Sequence, residues 1–232
     1  MALQTIVKDA YLIPMGQVNA VLLDGGDELT LVDAGFPGKE QLVFDAIAEL
    51  GREASDLRHL VFTHHHPDHI GSGAAIVRAT GARTYMHPLD VPIAEAGGPF
   101  RPMVPGSGLL PRLLYFVVGL QKPAPIEPVK IDQTVADGET LPIAGGLRVI
   151  ATPGHCAGQV AYLWRGTRLL VAGDFATNLA GLGDPLGFED KAEGRRSQRK
   201  IAGLDFDAIA FGHGKPITSG ASGRVRRKWG QA

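Results

Sequence analysis

The 232-residue chain carries 23 Lys and Arg against 24 Asp and Glu, a formal net charge of −1, and a single cysteine. That length suits one substantial core and is too short for two large domains. The charge balance excludes a global electrostatic case for nucleic acid or an anionic membrane, and a lone Cys156 excludes an intrachain disulfide framework.

Residues 1–9 lack a basic start, a long apolar core and a small-residue cleavage site, so no secretory signal is read and a cytoplasmic location is expected. Short strands are expected over residues 11–13, 18–23 and 29–32, apolar runs separated by turn residues such as Asp24-Gly25-Gly26-Asp27. The third run ends in Asp33-Ala34-Gly35, where an aspartate before glycine reads on position alone as a turn residue. A helix follows over about 37–50, with Leu42, Val43, Ala46, Ile47 and Leu50 as its apolar stripe and Gly51 as its stop.

The next strand, 59–63, delivers His64-His65-His66-Pro67-Asp68-His69. On extended chain His64 and His66 point the same way and His65 points the opposite way. Pro67 suits the first turn of a helix, which sets Asp68 and His69 at its mouth facing the same space. Metal donors at this spacing, after an apolar strand, read as one half of a two-metal site. The helix is expected to run over 67–79 with Gly81 beyond it, and its small first turns, Gly71 to Ala75, imply close backbone packing near the site.

A strand over 83–86 and a short helix over 88–95 come next. Residues 97–128 then form a Pro- and Gly-rich insertion in a single domain spanning 1–232. Its apolar piece, 109–120, is shorter than the ~20 residues of a membrane span and is interrupted by Pro111 and Arg112. The insertion is expected to act as a lid or pocket wall, with a dimer contact, a membrane-surface patch or an ordinary core helix as alternatives. Leu113, Tyr115 and Phe116 within it, and Phe175 beyond it, are candidate substrate contacts.

Strands are expected near 129–131, 139–142 and 147–151. Three apolar runs in this half end in a metal-type residue beside glycine, at His155, Asp174 and His213. Strand ends along one sheet edge are where such folds place their sites. A helix over about 188–204 lies between the last two, and a short basic helix containing Arg224 to Lys228 closes the chain as a solvated face. Cys156, beside His155, is expected to pack rather than act as a nucleophile.

The ordered set His-x-His-x-Asp-His, then His155, Asp174 and His213, resembles the metallo-β-lactamase-fold hydrolase superfamily, in its glyoxalase II and lactonase-like branch. The resemblance spans Asp33 to His213. It implies an α/β fold, a four-layer αβ/βα sandwich with a dinuclear centre at one edge of two packed sheets. By the same resemblance His64, His66 and His155 bind one metal, Asp68, His69 and His213 the second, and Asp174 bridges them, while Asp33 supports a ligating histidine from behind. Such nitrogen and oxygen donors suit two Zn²⁺, with Fe or Mn as alternatives. Two metals would hold a bridging hydroxide for attack on a carbonyl carbon, and Asp68 is a candidate to orient it or return a proton.

Departures from known branches narrow the expectation. Dizinc β-lactamases commonly place a cysteine where this chain has Asp174, glyoxalase II enzymes add a C-terminal helical domain, and the lactonase tyrosine has no counterpart in Phe175-Ala176-Thr177-Asn178. The expected activity is hydrolysis of a small-molecule ester, thioester or lactone, with no nucleic-acid partner, no membrane span and a homodimer as an option. A mononuclear iron persulfide dioxygenase using His66, His155 and Asp174 is the alternative, and a non-catalytic metal-binding module ranks below both.

Overall fold

Apolar runs separated by tight turns build the first sheet, and helices cover its outer face. The computed structural model describes residues 3–107, 113, 115, 116 and 126–230. β1 (Gln4–Val7), β2 (Ala10–Pro14), β3 (Asn19–Asp24) and β4 (Leu29–Val32) form an antiparallel meander. Beyond α1 (Glu40–Glu49), β5 (Leu57–Val61) lies parallel to β4. Beyond α2 (Pro67–Ile70) and α3 (Gly73–Thr80), β6 (Arg83–Met86) lies parallel to β5. Parallel neighbours need such crossovers, because a tight turn can only reverse the chain. α4 (Val91–Ala96) and β7 (Val104–Pro105) precede β8 (Gln133–Thr134), which completes the seven-stranded sheet beside β6.

β9 (Thr140–Leu141), β10 (Leu147–Ala151), β11 (Val160–Trp164) and β12 (Leu169–Val171) make a second antiparallel meander. β13 (Gly187–Phe188) leaves it to pair with β7. α5 (Lys191–Ala202) then crosses back, so that β14 (Ala208–Ala210) joins β12 in parallel, and α6 (Ala221–Trp229) ends the described chain.

Three apolar layers separate four layers of secondary structure. Leu22, Leu31 and Leu60 pack outward beneath Val43 and Ile47 of α1 and Ile76 of α3. Val21, Leu23, Val32 and Val61 face inward against Val149, Val160, Tyr162 and Val171 of the second sheet. Ile150, Leu170 and Ile209 pack outward beneath Ile201 of α5 and Val225 and Trp229 of α6. Neighbours such as Leu22 and Leu23 thus enter different layers, which is why these strands read as unbroken apolar runs. Each buried Leu or Val side chain stabilises by about 1.5–3 kcal/mol. The architecture is the expected αβ/βα sandwich.

Several element boundaries differ from the sequence reading. β1 and β11 were not anticipated, the strand near 129–131 lies at Gln133–Thr134, and α1 starts at Glu40. Phe188 belongs to β13, and α5 starts after Asp190, whose carboxylate accepts the Ala192 and Glu193 N–H groups at 2.8 and 3.0 Å. The single helix expected over 67–79 is broken at Gly71 and Ser72. A Cβ at Gly71 would lie 2.4 Å from Pro37 Cδ. Ser72 Oγ donates to the Phe36 carbonyl at 2.7 Å and accepts the Lys39 N–H at 2.8 Å, so these residues dock under the loop before α1. Among the described residues no helix is long and apolar enough to cross a membrane. Most of the apolar piece of the 97–128 insertion lies outside the described residues.

Candidate metal centre

β5 ends at Val61, two residues before the expected limit, so His64 and His66 stand on the loop beyond the strand. Thr63 lies on that loop, with its N–H and hydroxyl both donating to Asp33 at 2.8 Å. Because the Thr63 hydroxyl proton is committed to Asp33, its oxygen accepts from His64 Nδ1, 2.9 Å away. His64 therefore turns an unprotonated Nε2 toward the interior. His66 Nδ1 lies 3.1 Å from that nitrogen and 3.0 Å from His155 Nε2.

Three further histidines are held from behind in the same manner. His155 Nδ1 donates to the Gly187 carbonyl at 2.8 Å, and His213 Nδ1 donates to the Gln17 carbonyl at 2.6 Å. His69 Nδ1 lies 2.8 Å from Asp33 Oδ2, and His66 Nε2 lies 3.4 Å from Cys156 Sγ. Four imidazoles, His64, His69, His155 and His213, thus have one nitrogen tethered outside and the other turned toward a shared space, the arrangement that fixes tautomer and orientation in ligating histidines, while His66 lies beside the Cys156 thiol.

Two carboxylates complete the enclosure. Asp174 Oδ1 is 3.6 Å from His69 Nε2, while its Oδ2 is 3.6 Å from His155 Nε2 and 3.1 Å from His213 Nε2. Asp68 Oδ2 is 3.2 Å from His213 Nε2 and 3.8 Å from His69 Nε2. The groups His64, His66, His155 with Cys156, then His64, His69, Asp174, and Asp68, His69, His213 each bring their donor atoms within 4.8 Å of one another. All seven residues named from the sequence as metal donors are therefore in one cluster, with Asp174 between its two ends. Asp33 lies directly behind His69.

The electrostatics distinguish the two ends. Burial, reinforced by neighbouring imidazoles, holds His64 and His66 well below the usual histidine range, and burial also lowers His155, so all three offer neutral nitrogens. Burial opposes charge on His69 and His213 as well, but Asp174 and Asp68 outweigh it, lifting His69 to about 10 and His213 well above its ordinary value. Burial would likewise raise Asp68 and Asp174, yet His69 and His213 hold both carboxyls below the usual range. Among the described residues, His69 Nε2 and Asp174 Oδ1 are two of the buried side-chain atoms without a hydrogen-bond partner. Converging lone pairs, anionic carboxylates and unpartnered buried donor atoms fit divalent cations.

Distant segments close the site. The Asn19 amide donates to the Phe211 and Gly214 carbonyls at 3.1 and 2.8 Å, fixing the His213 turn against the β2–β3 hairpin. A Cβ at Gly212 would lie 2.2 Å from Asp174 Oδ1, so glycine at this position makes room for the carboxylate.

Among the substrate candidates, Phe175 is corrected. It is buried in the layer under α6, its ring centroid 6.3 Å from that of Trp229, because the chain after Asp174 turns into the outer layer. Leu113 and Phe116 are exposed, and the Tyr115 hydroxyl donates to the Met103 carbonyl. Cys156 is fully buried, and burial with nearby carboxylates pushes its thiol well up, as expected of a packing residue. The contact of Cys156 with His66 and the roles of Thr63, Gln17 and Gly187 were not anticipated, since backbone carbonyls leave no mark in the sequence.

Residues 13–213 match the family model of the metallo-beta-lactamase superfamily. The chain is 28% identical over 207 residues to YflN, a probable metallo-hydrolase of Bacillus subtilis, covering 81% of this chain and 76% of that protein. It is 30% identical over 178 residues to a hydroxyacylglutathione hydrolase of Rhizobium meliloti, covering 75% of this chain and 54% of that enzyme. In fold it resembles a metallo-beta-lactamase with a HARLDQ motif from Cronobacter sakazakii, with a TM-score of 0.73 and 22% identity, over 92% of this chain and 81% of that one.

Proposed function

The chain belongs to the metallo-beta-lactamase superfamily, and on that premise we propose that it is a metal-dependent hydrolase of small-molecule esters, thioesters or lactones with a two-metal centre. The observation that carries this reading is the set of five imidazoles, four of them tethered from behind, gathered with two carboxylates. His64, His66 and His155 would hold one ion, Asp68, His69 and His213 the other, and Asp174 both. Nitrogen and oxygen donors of this kind suit Zn²⁺, with Fe or Mn as alternatives. When bound, such ions supply Lewis acidity and bring the pKa of a water down to about 7.

The protein's own groups supply the rest. Asp33, Thr63, Gln17 and Gly187 keep the imidazoles in one tautomer and orientation, so no reorganisation is required during reaction. Asp68, partly exposed at the start of α2 and 3.2 Å from His213 Nε2, would orient the attacking oxygen and return a proton to the leaving group. The described base of the 97–128 insertion pairs through β7 with β13, the strand whose Gly187 carbonyl holds His155. This connection supports a pocket wall built from the insertion. The likeness to a hydroxyacylglutathione hydrolase supports testing thioesters first.

The test is metal content of protein purified without added metal or chelator, combined with a screen of thioesters, lactones and aryl esters. Two zinc ions per chain with hydrolysis is the expected result, and a His64→Ala/His66→Ala variant should lose both. A single iron with oxygen consumption and no hydrolysis would overturn the proposal in favour of an oxygenase.

A further inference from the structure

His65, between the two histidines of the first motif, has no place among the proposed ligands, yet it is completely buried. Its ring turns away from the centre and stacks on Phe100, with centroids 6.0 Å apart and planes 10° from parallel. Nδ1 lies 3.1 Å from Asp90 Oδ2, and Nε2 faces Glu189 Oε1 at 3.9 Å.

These two carboxylates reach both loops of the three-histidine end. Asp90 Oδ2 accepts the His65 N–H at 3.2 Å and Oδ1 accepts the Gly158 N–H at 3.1 Å. Glu189 Oε2 accepts the Ala157 N–H at 2.8 Å, and the Glu189 N–H donates to the His155 carbonyl at 3.1 Å. Arg101 joins the carboxylates, with Nη1 3.2 Å from Asp90 Oδ1, Nε 3.2 Å from Glu189 Oε1 and Nη2 donating to the Leu89 carbonyl at 3.0 Å. The packing leaves no slack, since a Cβ at Gly158 would lie 2.4 Å from Asp90 Oδ1.

We infer that Arg101 is a positioning residue for the three-histidine end of the metal centre, clamping Asp90 and Glu189 so that the loop of His64 and His66 is fixed against the loop of His155. The inference rests on the proposed metal centre. Two carboxylates flanking one buried ring repel each other, and a planar guanidinium satisfies both from a single side chain, which a lysine cannot do with the same geometry. The other end of the centre is tethered differently, by Asp33 behind His69 and the Gln17 carbonyl behind His213, neither of which bonds to Arg101. Loosening Arg101 therefore weakens one end of the centre selectively. Because Arg101 and Phe100 begin the described base of the insertion, the same clamp ties that base to the ligand loops.

The experiment is zinc competition against a chromophoric chelator on the full chain, with circular dichroism to verify folding. Wild type is compared with Arg101→Ala, Arg101→Lys and, as a control, Arg196→Ala, whose exposed side chain pairs with Glu193 rather than with Asp90 or Glu189. Wild type should release zinc in two steps. Arg101→Ala should weaken one step about 10- to 100-fold and leave the other within about twofold, the range for groups that orient metal ligands. Arg101→Lys should recover part of the loss, and Arg196→Ala should match wild type. Unchanged steps, or equal weakening of both, would overturn the positioning role, and if Arg101→Ala does not fold, an unchanged Arg101→Lys variant would do the same. A wild type that binds no zinc would overturn the metal-centre reading and the inference together, whereas two-step binding that ignores Arg101 would overturn the inference alone.

Discussion

Asp33 Oδ2 stands 2.8 Å from His69 Nδ1 and the same distance from the Thr63 hydroxyl, whose oxygen accepts from His64. One carboxylate thus stands behind a histidine from each end of the centre. Its backbone has φ 64°, in the left-handed region that asparagine tolerates, so Asp33→Asn preserves the chain path and removes the anion. Zinc affinity in chelator competition should fall about 10- to 100-fold with the circular dichroism spectrum retained. Unchanged affinity would show that His69 and His64 need no anionic partner.

Gly212→Ala tests how tightly the centre is enclosed. The new Cβ would lie 2.2 Å from Asp174 Oδ1 and 2.6 Å from His69 Cε1, so the carboxylate must move. Overpacking of this kind costs about 1–3 kcal/mol, measurable in urea unfolding, and zinc per chain should drop below the wild-type count. Full metal content in a folded variant would mean that Asp174 has room to shift without loss.

Phe175→Leu separates packing from substrate contact. Phe175 is buried beside Trp229 in the layer under α6. The substitution should lower stability by about 1 kcal/mol while leaving KM for any hydrolysed substrate unchanged. A raised KM at unchanged stability would return Phe175 to the pocket.

Arg195 and Asp184 give a pH-dependent contribution to stability. Burial works against charge on Asp184, but Arg195, with both terminal nitrogens 2.5 Å from its oxygens, holds the carboxyl below its usual range. A depressed folded-state pKa stabilises above the unfolded value, near 4, and that contribution disappears as pH falls through the folded value. Arg195→Met should therefore destabilise by about 2 kcal/mol at pH 7, and the difference from wild type should shrink in urea titrations below pH 4. A difference that persists at low pH would assign the effect to packing of the arginine stem.

Donor chemistry was legible along the chain wherever a donor followed an apolar run. His64, His66, Asp68 and His69 lie within six residues, and His155, Asp174 and His213 each close a strand or its turn. β11 escaped notice because Val160 to Trp164 is nearly buried on both faces and lacks alternation, and β1 because its exposed edge carries few apolar residues. The helix break at Gly71 depended on Pro37, more than thirty positions away, which local propensity does not register.

The sequence by itself determined the apolar-run strands, the crossover helices and the seven candidate donors, because side-chain chemistry and local spacing act over a few residues. Only the tertiary structure decided what stands behind each donor: Asp33 behind His69, Gln17 behind His213, Gly187 behind His155, and the Arg101 clamp around His65. It also turned Phe175 away from the site. These relationships join segments up to 196 positions apart, and they exist because burying both faces of two sheets leaves each polar group only the partners that packing brings to it.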